Sequence, residues 1–233
     1  LMPSLSEKEI YILENRLLTD EPATLREIGE RYNVTRERIR QLEARLLEKL
    51  NDMDGLERIR FTSPHPIGFR QDLVNAYTYL PKLCSHIHFP MQSGSDRILQ
   101  LMRRPYKNEK YLKLCEDMRA ARPDLAITTD IIVGFPGETE EEFADTLKAL
   151  ETVRFDMLYS FIYSARKGTP AAEMEQIPDV VKGNRFDRLL GTQNAIAAEK
   201  NLPMEGKTLR VLCDGESKGN PAVYSGRTEG GKI

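Results

Sequence analysis

The sequence has few cysteines, no long apolar run and no excess of one charge. Its three cysteines, Cys84, Cys115 and Cys213, lie 31 and 98 positions apart, which excludes a disulfide framework and a close-spaced metal knuckle. No apolar run approaches the ~18 residues that a membrane helix needs. The first ten residues also lack the basic-then-apolar pattern of a secretory signal. We therefore expect a cytoplasmic location, in a reducing compartment.

The 34 basic and 36 acidic residues nearly balance, for a net charge of −2. This balance excludes a uniformly basic coat for nucleic acid, although a local basic face can still exist. With 40% apolar and 30% charged residues, the composition is that of an ordinary globular protein. At roughly 150 residues per domain, 233 residues predict one large domain or two smaller ones.

The residue pattern changes near positions 51–56. Before this point apolar residues recur at helical spacing, as at Ile10, Leu13 and Leu17, and glycine occurs once, at Gly29. After it, apolar stretches such as 127–133 alternate with charged amphipathic stretches such as 109–121 and 140–153. This alternation is typical of parallel α/β folds. We therefore expect a multidomain chain, all-α first and α/β afterwards.

Three helix-capping signals divide the first segment. Ser6 with Glu9 forms a capping box that opens a helix to about Leu18, before a break at residues 20–22. Thr24, with Glu27 as the third helical residue, caps a short helix over 25–32. Thr35 caps a last helix, from residue 36 to about 50. Two helices joined by a short turn predict a helix-turn-helix.

The second of these helices is basic. Residues 31–50 contain six basic and three acidic residues, and the arginines crowd the start of the helix, where recognition helices meet base edges. The alternative is that these charges form a solvated helical face.

Residues 5–50 resemble region 4 of bacterial RNA polymerase sigma factors of the heat-shock type, above all over 24–29 and 34–43. The resemblance implies that the last helix reads the promoter −35 element and that the opposite face docks on the RNA polymerase core. It places four residues in the major groove and Arg38 on a phosphate. The four groove residues are Arg36, Glu37, Arg40 and Gln41.

The second segment contains three motifs in which a strand runs into a glycine-containing loop: 86–96, 128–139 and 161–170. Alternation puts His86 and His88 on one face, as two metal ligands or as satisfied polar groups lining a barrel. The lack of a third histidine and of a carboxylate run nearby favours the polar groups. Gly134 and Gly137 allow close approach to a ligand or simply make a turn, and Arg166 contacts an anionic or aromatic group or only solvent.

In this order the motifs resemble the MiaB-type tRNA methylthiotransferases of the radical S-adenosylmethionine superfamily, with further matches at 60–66, 206–208 and 225–228. The resemblance implies an incomplete TIM-like barrel and the beginning of a β TRAM domain. It also implies S-adenosylmethionine and [4Fe–4S] clusters as cofactors. These enzymes methylthiolate an isopentenyl-adenosine next to the anticodon of tRNA.

Carried onto this sequence, the resemblance places Gln92, Ser93, Asp130 and Gly134 at the S-adenosylmethionine pocket and Arg166 on the substrate side. It divides the chain into a sigma-like segment (1–53), a partial barrel (54–205) and a truncated TRAM domain (206–233).

The cluster-binding CxxxCxxC motif of the family is absent, and three scattered cysteines cannot replace it because cluster thiolates must converge. We therefore assign no catalytic residue and no metal ligand. We expect neither cofactor to bind stoichiometrically and this chain alone to be inactive. Ala165 and Lys167 also replace prolines expected in the third motif.

Three functional hypotheses remain open: a methylthiotransferase fragment, a promoter-binding transcription initiation protein, and an artificial or misassembled fusion with no joint function. An incomplete parallel sheet also leaves an exposed edge strand, which predicts self-association.

Overall fold

The computed structural model of the protein describes residues 5–17, 23–61, 66 and 69–233. The chain forms two compact units. The first unit comprises Leu1–Ile59 and Asn75–Leu83, and the second comprises Arg60–Val74 and Cys84–Ile233. The domain limits expected from the sequence stay a prediction.

The first unit is built mainly from three helices, α1 (Glu7–Ile12), α2 (Leu25–Arg31) and α3 (Arg36–Asp52). The capping boxes at Ser6 and Thr24 are confirmed, and Thr35 accepts a hydrogen bond from the backbone of Arg38. The first helix continues beyond α1 as a π-helical stretch, Leu13–Leu17. Its expected end at Leu18 and the break at 20–22 lie outside the described residues.

An apolar cluster joins these helices, because each helix turns one apolar face inward. A Cβ on Gly29 would lie 2.7 Å from the carbonyl oxygen of Val34, so only glycine lets the turn between α2 and α3 pack this closely. The buried members of the cluster are Leu5, Ile12, Leu13, Ile28, Ile39 and Leu46.

The second unit contains a curled parallel sheet in the order β1-β2-β3-β4. Its strands are β1 (Ile59–Phe61), β2 (Leu83–His88), β3 (Ala126–Val133) and β4 (Met157–Ile162). The helices between and after them are α4 (Gln71–Tyr79), α5 (Asp96–Leu101), α6 (Asn108–Ala121), α7 (Glu140–Val153), α8 (Pro170–Glu173) and α9 (Asp179–Asn201). The strand expected at 127–133 and the helices expected at 109–121 and 140–153 are confirmed as β3, α6 and α7.

The register of the sheet places polar side chains on one face. Asp130 of β3 pairs with Tyr159 of β4, and Thr128 pairs with His88 of β2. Neighbours in parallel register point to the same side, so these residues share a face. Apolar residues of β3 such as Ile127 and Ile131 are fully buried on the opposite face, under the helices.

Beyond α9, a 3₁₀ turn (Leu202–Met204) leads to an antiparallel pair, β5 (Val211–Glu216) and β6 (Tyr224–Thr228). Most of its side chains are exposed. The expected TRAM domain stays a prediction. In the part of the chain that the structure describes, no helix is long and apolar enough to cross a membrane.

Candidate functional site

Three loops follow β2, β3 and β4 at the carboxyl edge of the parallel sheet: 89–95, 134–139 and 163–169. Ligands of parallel α/β folds bind at this edge, where the loops are free to vary while the strands hold them in place. Four of the five residues expected at the site from the sequence lie in these loops, and Asp130 lies on β3.

Gln92 is held in an unusual backbone conformation, with φ of 71°. Its backbone bonds to β3 on both sides: its N–H donates to Asp130 O (2.8 Å), and its carbonyl accepts from Ile132 N (3.0 Å). Left-handed conformations are uncommon for residues other than glycine and persist only where the surroundings impose them. The Gln92 side chain is 6% exposed and forms no hydrogen bond with another described residue. A buried amide in this state can bind a ligand.

Gly94 anchors the same loop against α7. A Cβ at this position would lie 2.6 Å from the backbone of Asp145, and the Gly94 N–H donates to Thr146 Oγ1 at 2.9 Å. Ser93 is fully buried, and its Oγ accepts from the backbone N–H of Ser95 at 3.2 Å. The Ser93 hydroxyl therefore stabilises the loop, while the Gln92 side chain is the one left for a ligand.

The His88 ring has a polar neighbour at each nitrogen. Nδ1 lies 3.0 Å from Thr128 Oγ1, and Nε2 lies 3.3 Å from Asp130 Oδ1. The ring also packs edge-on against Tyr159, with centroids 5.3 Å apart. Of the two sequence hypotheses for this histidine, these contacts favour a satisfied polar group lining the barrel. The structure thus brings Asp130 together with His88 on the polar face.

His86 lies on the same face. Burial, with a smaller contribution from the nearby Arg60 guanidinium, lowers the pKa of His86 to about 4. Its imidazole is therefore neutral at neutral pH. Among the described residues, no group of three or more histidine, cysteine, aspartate or glutamate side chains is placed to hold a metal ion.

The loop after β3 is held by a buried ion pair. Gly134, with φ of 74°, donates its N–H to Glu138 Oε2 at 2.9 Å. Arg185 of α9 donates through Nη1 to the same Oε2 (3.0 Å) and to the Glu138 carbonyl oxygen (3.1 Å). Burial raises the pKa of the Glu138 carboxyl, and the Arg185 charge opposes this shift. Glycine is required at 134, because a Cβ there would lie 2.6 Å from Cγ of Lys182.

Sequence reasoning missed Lys182 and Arg185, which come from α9, nearly 50 residues beyond the loop. A signal for them exists in the sequence, because they share heptad spacing with the buried Leu189, Gln193 and Ile196. Basic residues at core positions of a helix indicate buried partners of opposite charge.

Arg166 lies in the exposed loop after β4. Its carbonyl oxygen accepts from Thr169 N (3.2 Å) and Oγ1 (2.8 Å), which forms a turn. Its side chain forms no hydrogen bond or ion pair with another described residue, and the residue is exposed to solvent at the edge of the sheet.

Two of the three arginines at the start of α3, in the first unit, form hydrogen bonds with side chains of the same helix. Arg40 Nε donates to Glu37 Oε2 at 3.0 Å, and this hydrogen bond raises the pKa of Arg40. Arg38 Nη1 donates to Gln41 Oε1 at 3.2 Å. Arg36 is exposed and forms no ion pair with any residue in the described ranges.

A curled parallel sheet with glycine loops at its carboxyl edge agrees with the family that the chain matches. The model of the radical SAM superfamily matches residues 7–150, and the chain belongs to this superfamily. Its members use S-adenosylmethionine and [4Fe–4S] clusters.

Curated relatives of the chain include several tRNA-2-methylthio-N(6)-dimethylallyladenosine synthases. The chain is 63% identical over 188 residues to that of Akkermansia muciniphila, covering 80% of this chain and 41% of the relative. It is 52% identical over 191 residues to that of Acetivibrio thermocellus, covering 82% and 40%. The chain thus spans about two fifths of the length of these curated relatives.

A solved structure shows the same fold at low sequence identity. Coproporphyrinogen III oxidase from Escherichia coli, a radical SAM enzyme, superposes with a TM-score of 0.53 at 18% identity. The match covers 67% of this chain and 37% of the oxidase.

The cysteines of this chain do not fit a [4Fe–4S] cluster. Cys84 on β2 and Cys115 on α6 are buried, whereas Cys213 is exposed on β5. Burial raises the pKa of the Cys115 thiol to about 12, which opposes the thiolate form that ligates iron. The carboxyl-edge loops present the Gln92 side chain, which forms no hydrogen bond with another described residue, and the glycine backbone at Gly134.

Proposed function

We propose that residues 54–233 are the later part of a tRNA-2-methylthio-N(6)-dimethylallyladenosine synthase, a radical SAM enzyme acting on an adenosine next to the tRNA anticodon. The observation that carries this proposal is the 63% identity over 188 residues to a relative of that name. The carboxyl-edge loops support it, because their geometry suits a nucleoside ligand.

In this proposal Gln92, Ser93, Asp130 and Gly134 border bound S-adenosylmethionine. The Gln92 amide has hydrogen-bonding capacity that no described residue uses. Gly134 allows its backbone to approach the ligand, and Glu138 and Arg185 hold that loop in place. Ser93 acts by holding the first loop, through its bond from Ser95.

Arg166 faces the substrate side of the proposed site. Its guanidinium is exposed and carries its charge at the loop after β4. A guanidinium there suits an anionic phosphate or a stacked base, the two features that an RNA substrate offers.

S-adenosylmethionine bound at a [4Fe–4S] cluster supplies the radical chemistry of this family. The residues of this chain do not supply the three convergent thiolates, so we propose that the chain alone is catalytically inactive. Anaerobic reconstitution with iron and sulfide should leave no stoichiometric cluster, no 5′-deoxyadenosine and no methylthiolated tRNA. About four irons per chain, together with release of 5′-deoxyadenosine, would contradict this.

The proposed cofactor site is tested by titration calorimetry of the full chain with S-adenosylhomocysteine. We expect weak binding, and Gln92→Leu should weaken it about tenfold, the effect of losing about 1.4 kcal/mol of hydrogen bonding. Gln41→Leu makes the same chemical change on the exposed surface of α3 and serves as the control. Equal affinities for the wild type and Gln92→Leu would contradict the assignment.

A second candidate function belongs to the first unit, where two capped helices place arginines at the start of α3. We propose that this sigma-like helix-turn-helix binds promoter DNA, with RNA polymerase core as a further partner. Arg40→Ala should weaken binding of promoter-like duplex DNA by ~1–3 kcal/mol at fixed salt. Unchanged affinity and sequence preference would refute the groove assignment.

The two candidate functions need not act together. The third hypothesis, a fusion without joint function, is tested by sequencing the gene across the codons for residues 45–60.

Self-association also stays a proposal: β4 is an edge strand in the described sheet, and Tyr159 and Phe161 on it are exposed. Light scattering that shows a monomer at high concentration would count against it.

A further inference from the structure

A groove between α5 and α6, in the second unit, has a volume of about 990 Å³. It is lined by side chains from both helices and from the connection between them, residues 102–107. Several of the lining side chains are basic, and neither the fold nor the proposed cofactor site explains why they gather here.

Residues 96–113 carry six basic side chains and two acidic ones, within a chain whose net charge is −2. Two of the six cations are engaged in ion pairs: Arg97 with Glu142 (2.6 Å) and Lys113 with Glu116 (2.8 Å). The other four form no ion pair with any residue that the structure describes. These four are Arg103, Arg104, Lys107 and Lys110. Three of them, Arg104, Lys107 and Lys110, line the groove, and we call these three the groove cations.

Like charges that share one groove repel each other, and the lining sets only two carboxylates, Asp96 and Glu109, against them. At the start of α6 the backbone N–H of Asn108 donates to Asp96 Oδ1 at 2.7 Å, so one of these two carboxylates is engaged by the helix. The groove cations are spread along a groove far larger than one phosphate ion. This distribution suits a polyanion whose phosphates recur along a chain.

The groove is connected to the proposed cofactor site. Tyr106, between the groove cations, donates its hydroxyl proton to the Met91 carbonyl oxygen at 2.9 Å. Met91 directly precedes Gln92, so the basic connection and the first ligand-facing loop are held together. A chain lying in the groove would therefore pass beside the carboxyl edge of the sheet.

We propose that this groove binds the sugar–phosphate backbone of the RNA on which the enzyme acts. The inference rests on the proposed function for the choice of RNA, whereas the preference for a polyanion rests on the groove cations alone. The concave shape of the groove favours a strand of nucleic acid over a flat anionic membrane surface.

The first test titrates the full chain with an RNA hairpin that has an adenosine in its loop, at several salt concentrations. Each phosphate contact contributes about 0.7–0.9 to the slope of log affinity against log salt. Lys107→Gln should reduce this slope by about that amount, and replacing all three groove cations by glutamine should reduce it by about 2. Lys148→Gln, which removes one exposed charge on α7, should leave the slope unchanged.

The second test needs no variant and so does not depend on a mutant that folds. Lysine acetylation of the wild-type chain, read by mass spectrometry, should be slowed by the RNA hairpin at Lys107 and Lys110 and not at Lys148. Unchanged reactivity at Lys107 and Lys110 with RNA bound elsewhere would overturn the proposal, as would an unaltered salt slope in the triple variant.

The same samples separate this inference from the proposed function. RNA protection of Lys107 without any binding of S-adenosylhomocysteine supports the groove and contradicts the cofactor site. Binding of S-adenosylhomocysteine with no RNA protection overturns the groove alone. Protection by vesicles of phosphatidylserine and not by RNA would assign the groove to a membrane and overturn the proposal.

Discussion

Each of the two units contains an arginine–glutamate pair, partly buried in the first unit and buried in the second, and the pairs serve different purposes. In the first unit Arg16 pairs with Glu43 of α3 and donates to the Ala23 carbonyl oxygen at 2.7 Å, which ties three chain segments together. In the second unit Arg185 pairs with Glu138, which accepts from the Gly134 backbone. Burial raises the pKa of both carboxyls. The same chemistry packs helices in one unit and holds a loop at a candidate site in the other.

The units also differ in how they use basic residues. At the start of α3, Arg40 is bound to Glu37 and Arg38 is bound to Gln41. The groove cations of the second unit have no such partners among the described residues. A count of basic residues along the sequence therefore does not show which of them are available to a polyanion.

The largest effect is expected at the buried pair of the second unit. Arg185→Met leaves Glu138 buried without its counter-charge and should cost about 3–5 kcal/mol of unfolding free energy. Arg188→Met is the matched control, because the Arg188–Glu140 pair is about half exposed and should contribute less than about 1 kcal/mol. Urea unfolding followed by circular dichroism compares them. If both variants lost the same unfolding free energy, burial of the Arg185–Glu138 pair would not be the cause of its contribution.

A smaller effect on the unfolding free energy is expected where the loop 89–95 packs against α7. Gly94→Ala places a Cβ 2.6 Å from the Asp145 backbone, and the forced shift should cost about 1–3 kcal/mol. Gly183→Ala in α9 meets no atom within 4 Å and should stabilise the protein by up to about 1 kcal/mol. If Gly94→Ala were neutral by the same unfolding measurement, the close approach would be refuted.

In the first unit, the expected effects are local. Thr24→Ala removes both hydrogen bonds of the Thr24 hydroxyl with Glu27, keeps the bond from the Thr24 backbone N–H to the Glu27 carboxylate, and should cost about 1 kcal/mol. Thr24→Ser retains them and should be near neutral. Hydrogen exchange of α2 amides measures the difference, and a change of the same size in α7 would contradict a local effect.

The smallest effect is expected in the pH dependence of stability. A hydrogen bond from Arg97, with others from Thr139 and Ser95, lowers the pKa of Glu142 to about 2. The unfolded value is near 4.5, so the stabilisation is complete above that pH and is lost as the pH falls towards 2. Glu142→Gln should flatten acid unfolding in this range, whereas Glu141→Gln should not. Identical acid transitions in the two variants would contradict the assignment.

The parts of the fold that sequence reasoning predicted are those determined by near neighbours. The caps at Ser6, Thr24 and Thr35 each act within three residues, and the limits of β3 and α7 follow from local periodicity. The last helix of the first unit ends at Asp52, two residues beyond the expected position.

The candidate site depended on distant contacts, and there the sequence was less informative. The strained φ of Gln92 arises from bonds to β3, and the loop at Gly134 is held by α9. Neither follows from nearby residues. The roles carried over to Gln92, Ser93, Asp130, Gly134 and Arg166 stay predictions, although the structure shows how the first four are held.

The central claim is that the second unit, at the carboxyl edge of its sheet, binds the nucleoside portion of S-adenosylmethionine. Hydrogen exchange of the full chain with and without saturating S-adenosylhomocysteine tests it most directly. We predict slower exchange in residues 89–95 and 134–139 and no change in α2 and α3. Protection confined to the first unit, or bound ligand with no protection in either loop, would contradict the claim.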